Sequence, residues 1–195
     1  CGDEIRGLTF LPLAPLIDMS DSCDLSRLGW KPFFQQQLTL EEWQAFTIAR
    51  VTARDRSVVH LLTTCGNQVL ELHGGMTDLT VGDWVLLDSA DRFQRRLSRS
   101  TLFSRMAAGT RAEKQLIAAN VDTAFIVSSM NRDFNLSRIE RYLALVKSAG
   151  ATAVLVLTKL DLCENPRHYV ERAQSLDRSL IVVEVNSLDT DSTIK

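Results

Sequence analysis

The stretch that decides the fold runs from Asp122 to Leu162: DTAFIVSSMNRDFNLSRIERYLALVKSAGATAVLVLTKLDL. It opens on Thr123-Ala124-Phe125-Ile126-Val127, an apolar run without alternation, which predicts a strand buried on both faces. Ser137-Arg138-Ile139-Glu140 reads as a capping box that opens a helix. Ile139, Leu143, Val146 and Ala149 fall on one helical face, and Gly150 is a suitable stop. Ala153-Val154-Leu155-Val156-Leu157 is a second buried strand. Downstream, a helix is expected from Pro166 to Leu176, with proline in its first turn, and a third buried strand at Leu180-Ile181-Val182-Val183. Strand, helix, strand, helix, strand describes a parallel α/β unit with right-handed crossovers.

Upstream the period is shorter. Phe46, Ile48 and Val51, then Val58 to Leu62, then Gln68 to Leu72, then Val81 to Leu87, then Phe93 to Leu97 read as five short strands. Cys65-Gly66-Asn67 and Gly74-Gly75 punctuate them. Five such strands in about 55 residues suggest a small barrel such as an OB-fold. An SH3-like barrel would read almost the same. Thr39 with Glu42 three residues on marks a helix start before the barrel. The expected divisions are 1–44, an N-terminal tail and short helix; 45–100, the barrel; 101–120, a basic linker; and 121–195, the beginning of the α/β domain.

Hydrophobic residues make up 45% of the 195 and charged residues 24%, enough apolar matter for a real core. The net charge of −2 conceals a local excess. Between Arg92 and Lys114 lie Arg92, Arg95, Arg96, Arg99, Arg105, Arg111 and Lys114, against one acid, Glu113. A basic segment in an otherwise balanced chain is a candidate for following phosphates, and Arg92, Arg95, Arg96, Arg99 and Arg105 are its candidate RNA contacts; a solvated linker is the plainer reading. Cys1, Cys23, Cys65 and Cys163 form no C-x-x-C, which argues against zinc within these residues and against a disulfide framework. Free thiols fit a reducing, cytoplasmic setting. No apolar run approaches the roughly 20 residues of a membrane helix. Asp3 and Glu4 stand where a secretion signal would carry positive charge. Cys1 rather than Met opens the sequence, and a start upstream of it is expected.

In open parallel sheets ligands bind beyond the carboxyl ends of the strands. Two loops stand there: Thr158-Lys159-Leu160-Asp161 and Asn186-Ser187-Leu188. The first resembles the N-K-x-D guanine motif. Guanine presents two donors on one edge, and a carboxylate accepts both; adenine offers no such pair. Asp161 takes that role, and the stem of Lys159 lies along the base. Ser187 matches the residue whose backbone N–H meets the guanine carbonyl oxygen. Thr158 replaces the motif's asparagine, and Asn186 stands where serine is usual. The plain alternative for Lys159 and Asp161 is an ordinary helix start with an acid in its first turn. The 195 residues contain no G-x-x-x-x-G-K-[ST] and no Asp-x-x-Gly. Either the chain is not a GTPase, or the motif order is rotated and a phosphate loop lies beyond Lys195, in which case this portion alone is expected to be inactive.

With these segments assembled, the chain resembles the ribosome small subunit-dependent GTPase A family, also called RsgA, YjeQ or EngC. The resemblance rests on GWKPFFQQQL (29–38), VGDWV (81–85), QLIAANVDTAFIVSSMNRDFNLSRIERYLAL (115–145) and VLVLTKLDL (154–162), and covers roughly residues 28 to 195. Asp189-Thr190-Asp191 departs from the glycine-containing stretch usual after the second base loop. The resemblance implies an OB-fold five-stranded barrel followed by the first part of a circularly permuted P-loop GTPase domain, β plus α/β in class. It implies a GTP-hydrolysing factor in late maturation of the small ribosomal subunit, with rRNA bound by the barrel. It implies GTP or GDP with Mg2+ at Thr158, Lys159, Leu160, Asp161, Asn186 and Ser187, and Zn2+ in a further C-terminal domain. A monomer is expected. The competing reading is a non-enzymatic OB-fold RNA-binding module with an α/β scaffold.

Overall fold

Alternating apolar residues in the first half build a sheet with two different faces. The computed structural model describes residues 24–106, 114–186 and 188–189, which fall into two units divided between Val121 and Asp122. The first unit contains β1 (Thr47–Arg54), β2 (Val58–Thr63), β3 (Gly66–Glu71), β4 (Trp84–Leu87) and β5 (Phe93–Arg96). They form one antiparallel sheet in the order β3-β2-β1-β4-β5. The β2–β3 turn is Thr64-Cys65, one residue earlier than Gly66 suggested, because Thr63 Oγ1 accepts from Cys65 N (3.0 Å) and donates to Gly66 O (3.0 Å).

Ala49, Val51, Val59, Leu61, Val85 and Leu87 point inward and pack with Met76 and Leu79. Ile48, Leu62, Trp84 and Leu86 point the other way. That outer face does not meet water, because residues expected to form a tail and one helix fold over it. A 3-10 turn at Leu25–Leu28 leads to α1 (Pro32–Gln35) and α2 (Leu40–Ala45). Leu28 and Phe34 are buried against the sheet, and Trp30 meets Trp84 edge-on with ring centroids 4.9 Å apart. Arg50 sits over the Trp84 ring at 5.5 Å and donates to the Leu28 carbonyl. Thr39 caps α2 in the expected capping box, with Glu42 N–H donating to its hydroxyl at 3.1 Å and Thr39 N–H to the Glu42 carboxylate at 3.0 Å.

Residues 101–120, expected as a basic linker, carry two strands, β6 (Leu102–Met106) and β7 (Lys114–Ala119), paired antiparallel. Their ends are fastened to the barrel. Ala119 N donates to Val81 O (2.8 Å), and the Asn120 amide donates to Gly82 O (2.9 Å). The peptide of Ala119 passes so close to Gly82 (φ 88°) that a Cβ there would stand 2.0 Å from its carbonyl oxygen. The glycine of the VGDWV segment is therefore a requirement of packing as well as of the turn.

The second unit holds β8 (Thr123–Ser129), β9 (Thr152–Thr158) and β10 (Ile181–Glu184), all parallel, in the order β10-β9-β8. The crossovers are α3 (Leu136–Ala149) and α4 (Pro166–Gln174). Ile139, Leu143, Val146 and Ala149 are the buried residues of α3, as the periodicity predicts, and Gly150 (φ 83°) ends it. The N-cap is Asn135 rather than Ser137: its side chain accepts from Arg138 N at 3.0 Å, so the helix starts two residues early. Ala124, Ile126, Leu155 and Leu157 lie on one face of the sheet and are buried. Phe125 and Val127 of β8 and Ile181 and Val183 of β10, on the opposite face, are exposed. The expectation of strands buried on both faces is met at Val154 of the central strand, in register with Phe125 and Ile181, but not at those flanking residues, whose face is exposed among the described residues.

Candidate functional site

Parallel strands bring their carboxyl ends to one edge, and register decides which residues meet there. Ser129 of β8 pairs with Thr158 of β9, and Glu184 of β10 pairs with Leu157. The two loops singled out by sequence therefore leave the sheet side by side. They are tied together: Val185 N donates to Leu157 O (2.8 Å), and Leu160 N reaches Val185 O (3.4 Å). On the other side, Met130 N donates to Thr158 O (3.0 Å), and the Thr158 hydroxyl faces the Ser128 carbonyl at 3.5 Å. The hydroxyl that replaces the motif's amide is turned toward the neighbouring strand end.

Lys159 adopts the left-handed conformation (φ 63°, ψ 40°), uncommon for a side chain of this kind. That residue reverses the chain into a 3-10 turn at Leu160–Leu162, with Leu162 N donating to Lys159 O (3.1 Å) and Cys163 N to Leu160 O (3.2 Å). Asp161 is exposed in this turn. It does not begin the next helix. α4 starts at Pro166 and is capped by Asn165, which accepts from His168 N at 3.4 Å. Asp161 thus stands in the first turn of this short 3-10 helix rather than in that of α4, and its carboxylate has no hydrogen-bond partner or ion pair among the described residues.

In the second loop Asn186 makes a tight turn. Its side-chain oxygen accepts from Leu188 N (3.0 Å), and its carbonyl accepts from Asp189 N (3.0 Å). Asparagine where serine is usual thus has a local job, shaping the loop. Ser187 lies outside the described residues. The site consists of a carboxylate held at the strand edge by a strained turn, beside a second turn fastened to the same strand. Such an arrangement can read the edge of a flat, donor-bearing base.

Comparison with known proteins spans both of these loops. The family model described as RsgA GTPase matches residues 96–195, just over half of the chain. The chain belongs to the RsgA GTPase family. It is 52% identical over 177 residues to the small ribosomal subunit biogenesis GTPase RsgA 2 of Vibrio parahaemolyticus, covering 91% of this chain and 49% of that one. Against the RsgA of Mesorhizobium japonicum it is 42% identical over 179 residues, covering 90% and 51%. The chain spans about half the length of these curated relatives. The crystal structure of YjeQ from Thermotoga maritima superposes with a TM-score of 0.55 at 19% identity, over 72% of this chain and 52% of that one. The barrel is accordingly an OB-fold, and the second unit is part of a GTPase domain in the family's order.

The five arginines expected to follow RNA are placed differently from one another. Arg99 runs inward to Asp83, with Nε donating to Oδ1 and a terminal nitrogen to Oδ2, both at 2.7 Å; the carboxylate is fully buried and the guanidinium 11% exposed. Arg95 makes the same two-pronged contact with Glu42, both at 2.8 Å, fastening α2 to β5. Arg96 pairs with Asp78 at 3.2 Å and donates to Leu97 O at 2.9 Å. Arg105 is half-buried and donates to the Gln115 side chain at 2.8 Å. Arg92 pairs with Asp88 at 2.8 Å and keeps 76% of its side chain exposed. Arg111, also in the basic run, lies outside the described residues. Arg92 pairs four residues back, but the acids that meet Arg95, Arg96 and Arg99 stand 53, 18 and 16 residues earlier, which spacing alone could not show. Asp83, inside the VGDWV segment, is a buried charged residue that sequence reasoning missed; an acid between glycine and tryptophan at a strand entry was its signal.

Proposed function

We propose that this chain supplies the guanine-recognising part of a GTPase that acts in assembly of the small ribosomal subunit. The names carried by its relatives support the biological setting, and a cytoplasmic location goes with it. Among the described residues no helix is long and apolar enough to cross a membrane. The observation that carries the chemical reading is the position of Asp161, exposed in a short turn at the carboxyl edge of a parallel sheet and without a partner among the described residues. The family match runs through the α/β half, which supports the enzyme reading over an RNA-binding barrel with an inert scaffold. Phosphate handling is assigned to the half of the relatives' length that this chain does not span. Magnesium is assigned to the nucleotide's phosphates, as the GTPase reading implies. Zinc belongs with the relatives' remaining length in the same way. For rRNA, Arg92 is the one of the five candidate arginines classed as exposed, whereas Arg95 and Arg99 serve the fold.

The test is Asp161→Asn in the full-length protein. The substitution puts an NH2 donor where guanine needs a second acceptor. One charge-assisted bond is lost and one donor is mispaired, so GTP affinity should fall at least about tenfold. Xanthine carries a carbonyl where guanine carries its amino group and should bind the variant better. The expected result in equilibrium titration is an exchange of preference, weaker GTP and stronger xanthosine triphosphate. Unchanged GTP affinity would refute the guanine assignment.

A further inference from the structure

We infer that Thr101 and Asn120 are positioning residues that couple the barrel to the nucleotide site, by leaving no slack in the chain where one unit passes into the other. The inference rests on the GTPase reading above. The barrel's last fastening is on Val121: Thr101 Oγ1 donates to Val121 O and accepts from Val121 N, both at 2.8 Å. The parallel sheet's first fastening is on the next residue. Asp122 O accepts from Thr152 N at 2.8 Å, one step before Thr123 pairs with Thr152. Each fastening lies within one unit, and the boundary between the units falls between these two residues. A peptide group is planar, so only the two backbone torsions of Asp122 separate a peptide group held by the barrel from one held by the sheet.

Asn120 seats this clamp. It is buried, with a φ of 56°, a left-handed conformation that glycine adopts without cost. The asparagine side chain adds what glycine lacks. Its amide donates to Gly82 O at 2.9 Å, and its oxygen accepts from Ser100 N at 2.8 Å and from the Ser100 hydroxyl at 3.2 Å. Its backbone N donates to Thr101 O at 2.9 Å, and its carbonyl accepts from Arg50 Nη2 at 3.4 Å. Three separate stretches of the barrel therefore hold the residue from which the chain leaves for β8. The far end of β8 is Ser129, which pairs with Thr158 of the first base loop. One strand thus runs from the clamp to the guanine loop. Units joined by several free residues turn independently. Here a change in the angle of β8 is either absorbed at Asp122 or carried into the barrel.

Coupling between two sites is reciprocal and is read as a ratio of affinities. The test uses the full-length protein, with purified small ribosomal subunits as the probe. Affinity for the subunits is measured with GDP and with a non-hydrolysable GTP analogue. The two values should differ at least about fivefold in the parent. Inserting two glycines between Val121 and Asp122 keeps every fastening and adds slack. The ratio should then fall to within about twofold of one, with nucleotide affinity in the absence of subunits unchanged. Thr101→Val removes both bonds to Val121 and should lower the ratio in the same way, whereas Thr101→Ser keeps the hydroxyl and should keep the parent's ratio. A purely structural role would weaken subunit binding equally with both nucleotides and leave the ratio alone, which overturns the inference. The insertion variant should melt with the parent, so its lost ratio cannot be lost fold. A parent ratio of one, or a parent-like ratio in the insertion variant, also overturns the coupling. Either of those results alongside an exchange of base preference in Asp161→Asn leaves the guanine reading standing. If Asp161→Asn exchanges nothing, the guanine reading fails and takes the coupling with it.

Discussion

Arg99→Ala should unfold the barrel long before it reports on RNA. Asp83 is fully buried, and its carboxylate is held by two donors from Arg99 at 2.7 Å and by Thr80 N–H at 2.8 Å. Arg99 also donates to Asp78 O at 2.6 Å, so one side chain ties the entry of β4 to the exit of β5. Removing it leaves a buried carboxylate with a single backbone donor. Breaking one side of a buried pair costs about 3–5 kcal/mol. The guanidinium lies near the surface, at 11% exposed, so water can reach part of the vacated space, and the lower end, about 3 kcal/mol, applies. In a domain of this size each kcal/mol moves the melting temperature by about 4–8 °C, giving a fall of about 12–24 °C. The three tryptophans, Trp30, Trp43 and Trp84, all lie in the barrel unit, so tryptophan fluorescence follows that unit alone. The double variant Asp83→Asn with Arg99→Met removes both charges and should recover part of the loss. Arg92→Ala, at an exposed pair, should melt with the parent. If Arg99→Ala melts within about 1 °C of the parent, the pair does not hold the barrel, and Arg99 returns to the set of RNA contacts.

Two further outcomes follow from the same unit. Gly82→Ala places a Cβ 2.0 Å from the Ala119 carbonyl oxygen at a φ of 88°, and should lower stability by at least about 2 kcal/mol in chemical denaturation; a neutral result would show that β7 is not seated on the VGDWV turn. Glu42 is held down at about 2, first by its hydrogen bonds from Arg95 and then by the Thr39 amide. A depressed carboxylate stabilises the fold above its unfolded value and loses that contribution as pH falls. The α2–β5 fastening should therefore be intact at neutral pH and weaken between about pH 5 and 2. Glu42→Gln should flatten stability against pH in that window, and an unaltered profile would show that the fastening contributes nothing.

Local pattern alone determined the five strands of the first sheet, the strand-helix alternation of the second unit, the Thr39 capping box, the buried face of α3 and the position of the two loops at its sheet's carboxyl edge. Each of these is written in neighbours a few residues apart, through periodicity, caps and breakers. Tertiary structure decided the uses of the charges and of the ends. Arg95 reaches a glutamate 53 residues earlier, and Arg99 an aspartate 16 residues earlier, so a run that reads as open to phosphate is largely neutralised within the fold. The stretch after β5 reads as a linker because its strands are short and charged, yet β6 and β7 pair with each other and are fastened through Val81 and Gly82. The first residues of the described chain carry no sustained period, but Leu28, Trp30 and Phe34 find the face of Trp84 and cover it. Asp161 reads in sequence as either a helix start or a base reader; the structure gives the cap of α4 to Asn165 and places Asp161 in a separate 3-10 turn at the strand edge. Spacing records what a residue's neighbours are along the chain; which distant group satisfies its charge or its apolar surface is settled only when the chain closes on itself.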